Sequence, residues 1–268
     1  MFGRPLRPGA TALITAATVV AMVALYFWLS DWKHGQNPSD KTIPSLSQLQ
    51  AGVHELWRER PGEGRWMLID LRASALRFGL GLALGAVVAF GVGLATGCWE
   101  AVHAALLPPL SVLGNVPATA MLAVYFIFIP TGHTMFVSMV ALGVLPSLAQ
   151  GVHLAVRDIK PERLNTARMR GASNGEVVLH VIVPQVLPRL VDLVIHASGL
   201  ALLILVASEM AIGGGEGIGY RIRLLMMKVE MAMIMPYLVA LAAVGLAISH
   251  GLAAAQRWVF PWYQPGRR

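Results

Sequence analysis

Charged side chains are rare inside the apolar runs of this sequence, so each one that falls there is a candidate for chemistry. Glu209 is the sharpest case. It ends the run LALLILVASE and precedes Gly213-Gly214-Gly215-Glu216-Gly217-Ile218-Gly219-Tyr220. A carboxylate in or near lipid is costly and faces a cavity or a partner; the plainer reading is a helix-end acid hydrogen-bonded to the glycine-rich turn. Arg77, near the outer end of another run, reads as a side chain that snorkels to the headgroups, with attraction of a substrate as the second reading. His103, His153, His180, His196 and His250 fall at or near the ends of apolar runs, and His196 is the most interior of them. Ser198 and Ser208 read as small packing residues unless a solute path runs beside them. No H-E-x-x-H, G-x-S-x-G or Walker sequence is present, and the glycine run has neither G-K-[ST] nor the G-x-G-x-x-G spacing. No catalytic or metal-binding constellation emerges. The glycine run reads as a flexible turn outside the membrane.

The most polar and most arginine-rich stretch is Pro161 to Pro188, PERLNTARMRGASNGEVVLHVIVPQVLP. Proline suits the first turn of a helix, so a short helix is expected to begin at Pro161. Gly171 is placed as a helix-ending glycine. Ser173 and Glu176 have the spacing of a capping box for a second short helix, which Pro184 and Pro188 should end as the next apolar run begins. The stretch thus predicts a helix–glycine–helix knuckle in water between two membrane helices. Its bland alternative is a solvated basic loop.

These pieces sit in an integral membrane protein. Hydrophobic residues make up 56% of the 268 and charged residues 13%, and mean hydropathy is +0.63, against about 25% charged in soluble domains. The net charge of +7 lies in loops beside the runs, where basic residues meet anionic lipid; no soluble basic face for nucleic acid is visible. One cysteine, Cys98, excludes an internal disulfide.

Six crossings are expected, at about 10–29, 73–97, 104–129, 135–156, 186–212 and 235–255. The first follows Arg4 and Arg7, is too long for a signal peptide core, and ends in an aromatic belt of Tyr26, Trp28 and Trp32. Between it and the second lies a polar loop containing Pro38, Pro44 and Pro61. There Leu46, Leu49, Val53 and Leu56 have helical spacing, which fits either a helix on the membrane surface or a loop helix away from lipid. The second crossing carries Gly79, Gly81, Gly85, Gly91 and Gly93, which permit close helix approach. The third is interrupted by Pro108, Pro109 and Pro117. Irregular backbone at membrane depth needs protein or a water-filled cavity beside it, so Asn115, Pro117, Met121 and Tyr125, with Ser208 and Glu209, are candidate translocation-path residues; a plain kink in the bundle is the alternative. Pro130 to His133 is a turn, and the fourth crossing is expected to kink at Pro146. Six crossings put both termini on one side with Arg4, Arg7, Arg157, Lys160, Arg163, Arg168, Arg170, Arg257, Arg267 and Arg268. The other side holds Lys33, Lys41, Arg58, Arg60, Arg65, Arg221, Arg223 and Lys228, so charge bias does not orient the chain.

Asn165-Thr166-Ala167, three residues, Gly171, nine residues, then Val181-x-Val183-Pro184 resembles the cytoplasmic "EAA" loop of permease subunits of binding-protein-dependent ABC importers (E-A-A-x-x-x-G, nine residues, I-x-L-P). Asn165 stands for the family's Glu and Thr166 for its first Ala; Ala167, Gly171 and Pro184 match. Gly171-Ala172-Ser173 and the Gly217-Ile218-Gly219-Tyr220 turn resemble the nitrate/sulfonate/taurine branch, and Pro117-Ala118 through Phe126 resembles the family's interface helix. The resemblance covers about 73–257. It implies an all-α membrane protein of about six transmembrane helices with type I ABC importer (MetI-like) permease architecture. It implies further that residues 1–72 would form an N-terminal helix and periplasmic loop, 73–257 the permease core with a coupling loop at 157–185, and 258–268 a short cytoplasmic tail.

The resemblance further implies that Glu162, Asn165, Thr166, Ala167, Arg168, Arg170, Gly171, Ala172, Ser173, Val183 and Pro184 form a loop that docks on an ATPase dimer, and that Gly217, Gly219 and Tyr220 form a periplasmic turn. The chain itself would bind no cofactor; ATP and Mg would sit on the ATPase. Partners would be a second permease copy or a paralogue, a periplasmic or lipid-anchored solute-binding protein, and membrane lipid. The location would be the bacterial inner membrane with both termini cytoplasmic, and the solute a sulfonate, nitrate, taurine-like anion or vitamin-precursor-like compound. An ion-driven secondary transporter is the alternative; it would favour inverted repeats and intramembrane ion-binding residues. A membrane-embedded enzyme is weakened by the lack of clustered His, Asp and Glu.

Overall fold

The computed structural model describes residues 8–37, 40–118 and 120–263; Arg4, Arg7, Pro38, Arg267 and Arg268 lie outside them. The described residues are helical almost throughout. In order they form α1 (Pro8–Gln36), α2 (Leu46–Trp57), α3 (Trp66–Cys98), α4 (Glu100–Gly114), α5 (Leu122–Phe128), α6 (His133–Arg157), α7 (Pro161–Met169), α8 (Asn174–Val177), a π-turn (Val178–Ile182), α9 (Val183–Ile212), α10 (Ile218–Met227) and α11 (Met231–Val259). Five of the described helices, α1, α3, α6, α9 with its α8 lead-in, and α11, are long and apolar enough to cross a bilayer. The crossing expected over 104–129 is split. α4 contains Pro108 and Pro109 without interruption, and the break comes between its end at Gly114 and the start of the short α5 at Leu122.

The chain divides into two compact units. One is Met1–Met67 with Ile222–Val239, the other Leu68–Arg221 with Ala240–Arg268.

In the first unit, α1 is joined to the loop after it. Tyr26 Oη donates to the Pro44 carbonyl (2.9 Å), and Ser30 Oγ donates to the carbonyls of Pro44 (3.2 Å) and Ile43 (3.3 Å). α2 opens on a capping box between Ser45 and Gln48. It lies so close to the start of α11 that a Cβ at Gly52 would stand 2.3 Å from the Ala232 carbonyl oxygen.

The second unit is built on α3, α6 and α9. Lipid gives apolar helices no hydrophobic reason to associate, so close packing must hold them. Gly81, Gly85, Gly93 and Gly97, with buried Ala89 between them, recur every four or eight residues and form one face of α3. Cβ atoms at those glycines would meet Val140, Val144, Val152 and Val156 of α6 at 2.5–2.7 Å. Gly79 and Gly91, part of the same expected set, face open space instead. On the other side of α6, Gly143 and Gly151 receive Ile204 and Leu193 of α9.

Candidate functional site

The knuckle between α6 and α9 is built from local signals. Pro161 opens α7, and Thr166 Oγ1 donates to the Glu162 carbonyl (2.7 Å). The helix ends in a Schellman turn: Ala172 N donates to the Ala167 carbonyl (3.2 Å), Gly171 N donates to the Arg168 carbonyl (2.9 Å), and Gly171 has φ +86°. Glycine adopts that conformation without the steric strain a side chain would meet there. Ser173 then caps α8, its Oγ accepting from Glu176 N (3.3 Å) while Glu176 Oε2 accepts from Ser173 N (2.8 Å). Pro184 and Pro188 do not end this helix. The backbone passes through the π-turn, where Val183 N donates to the Val178 carbonyl, and continues into α9. A proline ring clashes with the carbonyl four residues earlier, and the wider turn just before Pro184 eases that clash without a break.

The knuckle's inner face is apolar. Leu164, Ala167, Ala172, Val177 and Val181 pack with Val152, Val156 and Val186 of the flanking spans and with Ile159 of the turn after α6. Arg163 donates to Gln185 of α9, and Arg189 of α9 donates to Asp158 Oδ2 (3.2 Å) just beyond α6. The outer face carries Glu162, Asn165, Arg168, Arg170 and Met169, the last 82% exposed. Arg163, Thr166, Arg170, Glu176 and His180 line a cleft of about 530 Å³. A rigid, basic, apolar-tipped projection fixed to two spans can transmit a push from a partner. Below it, the end of α11 is tied to α9: Gln256 Nε2 donates to Asp192 Oδ1 (2.7 Å) and the Tyr263 hydroxyl to Asp192 Oδ2 (2.5 Å). Burial, then that bond, pushes the Tyr263 phenol up to about 12.

A second polar cluster lies at the other end of α3 and α9. Arg77 does not snorkel. It is 3% exposed, and its Nη1 donates to Glu209 Oε1 (2.7 Å) and to the Glu216 carbonyl (2.8 Å), with the guanidinium over the Phe136 ring. A buried guanidinium needs a paired anion, and Glu209, fully buried, supplies it. Glu209 also accepts from Ser74 Oγ (2.9 Å) and Gly219 N (3.0 Å), while Ser74 Oγ accepts from Ile218 N (2.9 Å). Asp70 accepts from Gly217 N and from Arg221 Nε, both at 2.9 Å. Two carboxylates and two guanidiniums thus compensate one another. They also clamp the glycine-rich turn, which is held by its backbone amides rather than loose. At Gly217, φ +128°, a Cβ would fall 2.6 Å from Glu209 Oε1.

The remaining candidates divide by exposure. Asn115 and Pro117 are exposed and Met121 half-buried at the α4–α5 break, whereas Tyr125 is buried against the core. Ser208 is buried and donates to the Leu205 carbonyl (2.7 Å). Ser208 and Glu209 are therefore not brought together with Asn115 and Pro117 on an open surface. His196 is exposed, its ring bonded to the Asp192 carbonyl, because it falls on the outer face of α9. The buried imidazole is His153, stacked on His103 at 4.8 Å. Asp70, Ser74 and Arg221 were not singled out by sequence reasoning. Their signal was the 4- and 3-residue spacing of Asp70, Ser74 and Arg77, one face of a helix.

Residues 81–264 match the family described as "Binding-protein-dependent transport system inner membrane component". The taurine transport system permease protein TauC of Escherichia coli (strain K12) is 28% identical over 184 residues, 68% of this chain and 66% of its own length, just under two thirds. The bicarbonate transport system permease protein CmpB of Synechococcus elongatus is 23% identical over 201 residues, covering 75% of this chain and 72% of that protein. The nitrate import permease protein NrtB of Synechocystis sp. is 22% identical over 243 residues, covering 89% and 88%.

Proposed function

The chain belongs to the family of binding-protein-dependent transport system inner membrane components, and from that premise we propose that it is the permease subunit of an ATP-driven importer of a small solute. It hydrolyses nothing itself. Two permeases, two copies or this chain with a paralogue, form the path. A pair of separate ATPase subunits, which hold ATP and magnesium, docks on the knuckles, and both termini lie on that cytoplasmic side of the bacterial inner membrane. A solute-binding protein delivers cargo at the opposite face. ATP and loaded binding protein bias the bundle between two states. The relatives named for taurine, bicarbonate and nitrate favour a small anion or sulfonate as cargo. The irregular backbone after α4, with Asn115 and Pro117 exposed, supports a place on the path, since such backbone at membrane depth suits a cavity.

The observation that carries this reading is the knuckle, packed on two spans within and bearing exposed Arg168, Met169 and Arg170 without. Ion-driven transport would call for a membrane carboxylate able to take up an ion, whereas Glu209 and Asp70 are each held by an arginine. The test is copurification and ATP hydrolysis in nanodiscs with the ATPase co-expressed. Wild type should retain the ATPase. Arg168→Glu/Arg170→Glu should weaken association about tenfold or more, since reversing charge against an acidic partner surface sets like charges together, at a cost of several kcal/mol. Equal retention by both chains, or by neither, would sink the reading.

A further inference from the structure

The face of α2 that nothing in its own unit covers has a definite chemistry. Taking 100° per residue, Leu46, Val53 and Trp57 fall within about 40° of one line along the helix, and they are 55%, 42% and 44% exposed. This strip borders the buried arc of Gly52 and Leu56, while exposed Gln50, about 20° from Trp57, begins the polar arc that His54 and Ser47 continue. The helix therefore has one packed side, one wet side and an apolar edge between them.

Its height relative to the membrane is fixed by α1. The carbonyl of Pro44, just before the Ser45 cap, accepts from Tyr26 and Ser30, at the end of the first apolar run. Trp28 and Trp32 bracket Ser30 and are 64% and 53% exposed. Exposed tryptophans at the end of a spanning helix mark the headgroup level. The first turn of α11 meets α2 at Gly52, and Arg58, with a side chain 65% exposed, follows Trp57.

We propose that α2 lies in the bilayer interface, with the Leu46–Val53–Trp57 edge inserted at the boundary between headgroups and acyl chains of the leaflet into which the tryptophan end of α1 emerges. The occupant is phospholipid. An apolar edge at headgroup depth beside a polar face is the arrangement of an interfacial helix. α2 then acts as a float that sets the depth at which α1 and α11 enter the membrane.

The test places a nitroxide at Leu46→Cys, Val53→Cys, Trp57→Cys and His54→Cys in a full-length Cys98→Ser chain, in nanodiscs of phosphatidylethanolamine and phosphatidylglycerol. Collision rates with oxygen and with a water-soluble nickel chelate are compared. Positions 46, 53 and 57 should have an oxygen-to-nickel ratio several-fold above that of position 54. Equal ratios would mean that the edge stands in water, and shielding from both reagents would mean that protein covers it; either overturns the proposal. Without labelling, quenching of tryptophan emission by brominated lipid should fall in Trp57→Phe, and an unchanged quenched fraction also overturns it.

Discussion

Removing one partner of a buried ion pair leaves an uncompensated charge and costs about 3–5 kcal/mol, whereas replacing both with apolar groups is often nearly neutral. Arg77 and Glu209 meet that description at 3% and 0% exposure. Glu209→Ala is expected to destabilise the detergent-solubilised chain by that amount in thermal unfolding, and Arg77→Met/Glu209→Leu by clearly less than the sum of the single changes. Additive losses would show that the pair is not coupled. Gly217→Ala should be nearly as harmful as the single charge removals, because its Cβ would collide with the Glu209 carboxylate. Tyr263 carries a pH dependence. Its folded pKa, about 12, lies above the ordinary 10.0, so its contribution is complete below about pH 10 and is lost as pH rises toward 12. Wild type should lose melting temperature over that range more steeply than Tyr263→Phe. Glu209 was legible in the sequence because it is an acid at the end of an apolar run. Asp70 was not, because the polar stretch before Ala73 reads as loop, yet α3 starts at Trp66 and carries Asp70, Ser74 and Arg77 on one helical face.

At the scale of the element, the glycines of α3 separate by face. Gly85→Leu or Gly93→Leu would drive a side chain into Val144 or Val152 and should cost about 1–3 kcal/mol or more, the usual range for overpacking. Gly79→Leu and Gly91→Leu, which meet only open space, should stay within about 0.5 kcal/mol. Unfolding temperatures of the four variants test this, and equal losses would contradict the packing described. The sequence revealed that the helix is glycine-rich. It could not reveal which glycines touch α6, since that depends on the rotation of two helices. The knuckle was the reverse case. Proline at N1, a C′ glycine and a capping box act within a few residues, and each appears where its spacing put it. The π-turn escaped because it answers a strain at Pro184 that only a continuous helix creates. Ser173→Ala should cost about 1 kcal/mol, read as earlier proteolysis of the knuckle.

For the whole molecule, membrane character followed from composition, and five of the expected crossings are single long helices. The other is broken between α4 and α5 rather than at its first two prolines. Pro108 and Pro109 are tolerated inside α4, whereas the chain leaves the helix after Gly114. The proposed orientation rests on the knuckle, because basic residues are spread over both sides. On that proposal this projection meets an ATPase in the cytoplasm. The most direct measurement is disulfide crosslinking from Met169→Cys in a Cys98→Ser background, in membranes containing an ATPase with single cysteines along its membrane-facing surface. A crosslink is expected that disappears when the cysteine is moved to Leu203, which is 64% exposed on the α9 span. In intact cells Met169→Cys should resist a membrane-impermeant maleimide and react after permeabilisation. Labelling of Met169→Cys from outside intact cells, with no crosslink to the ATPase, would contradict that proposal.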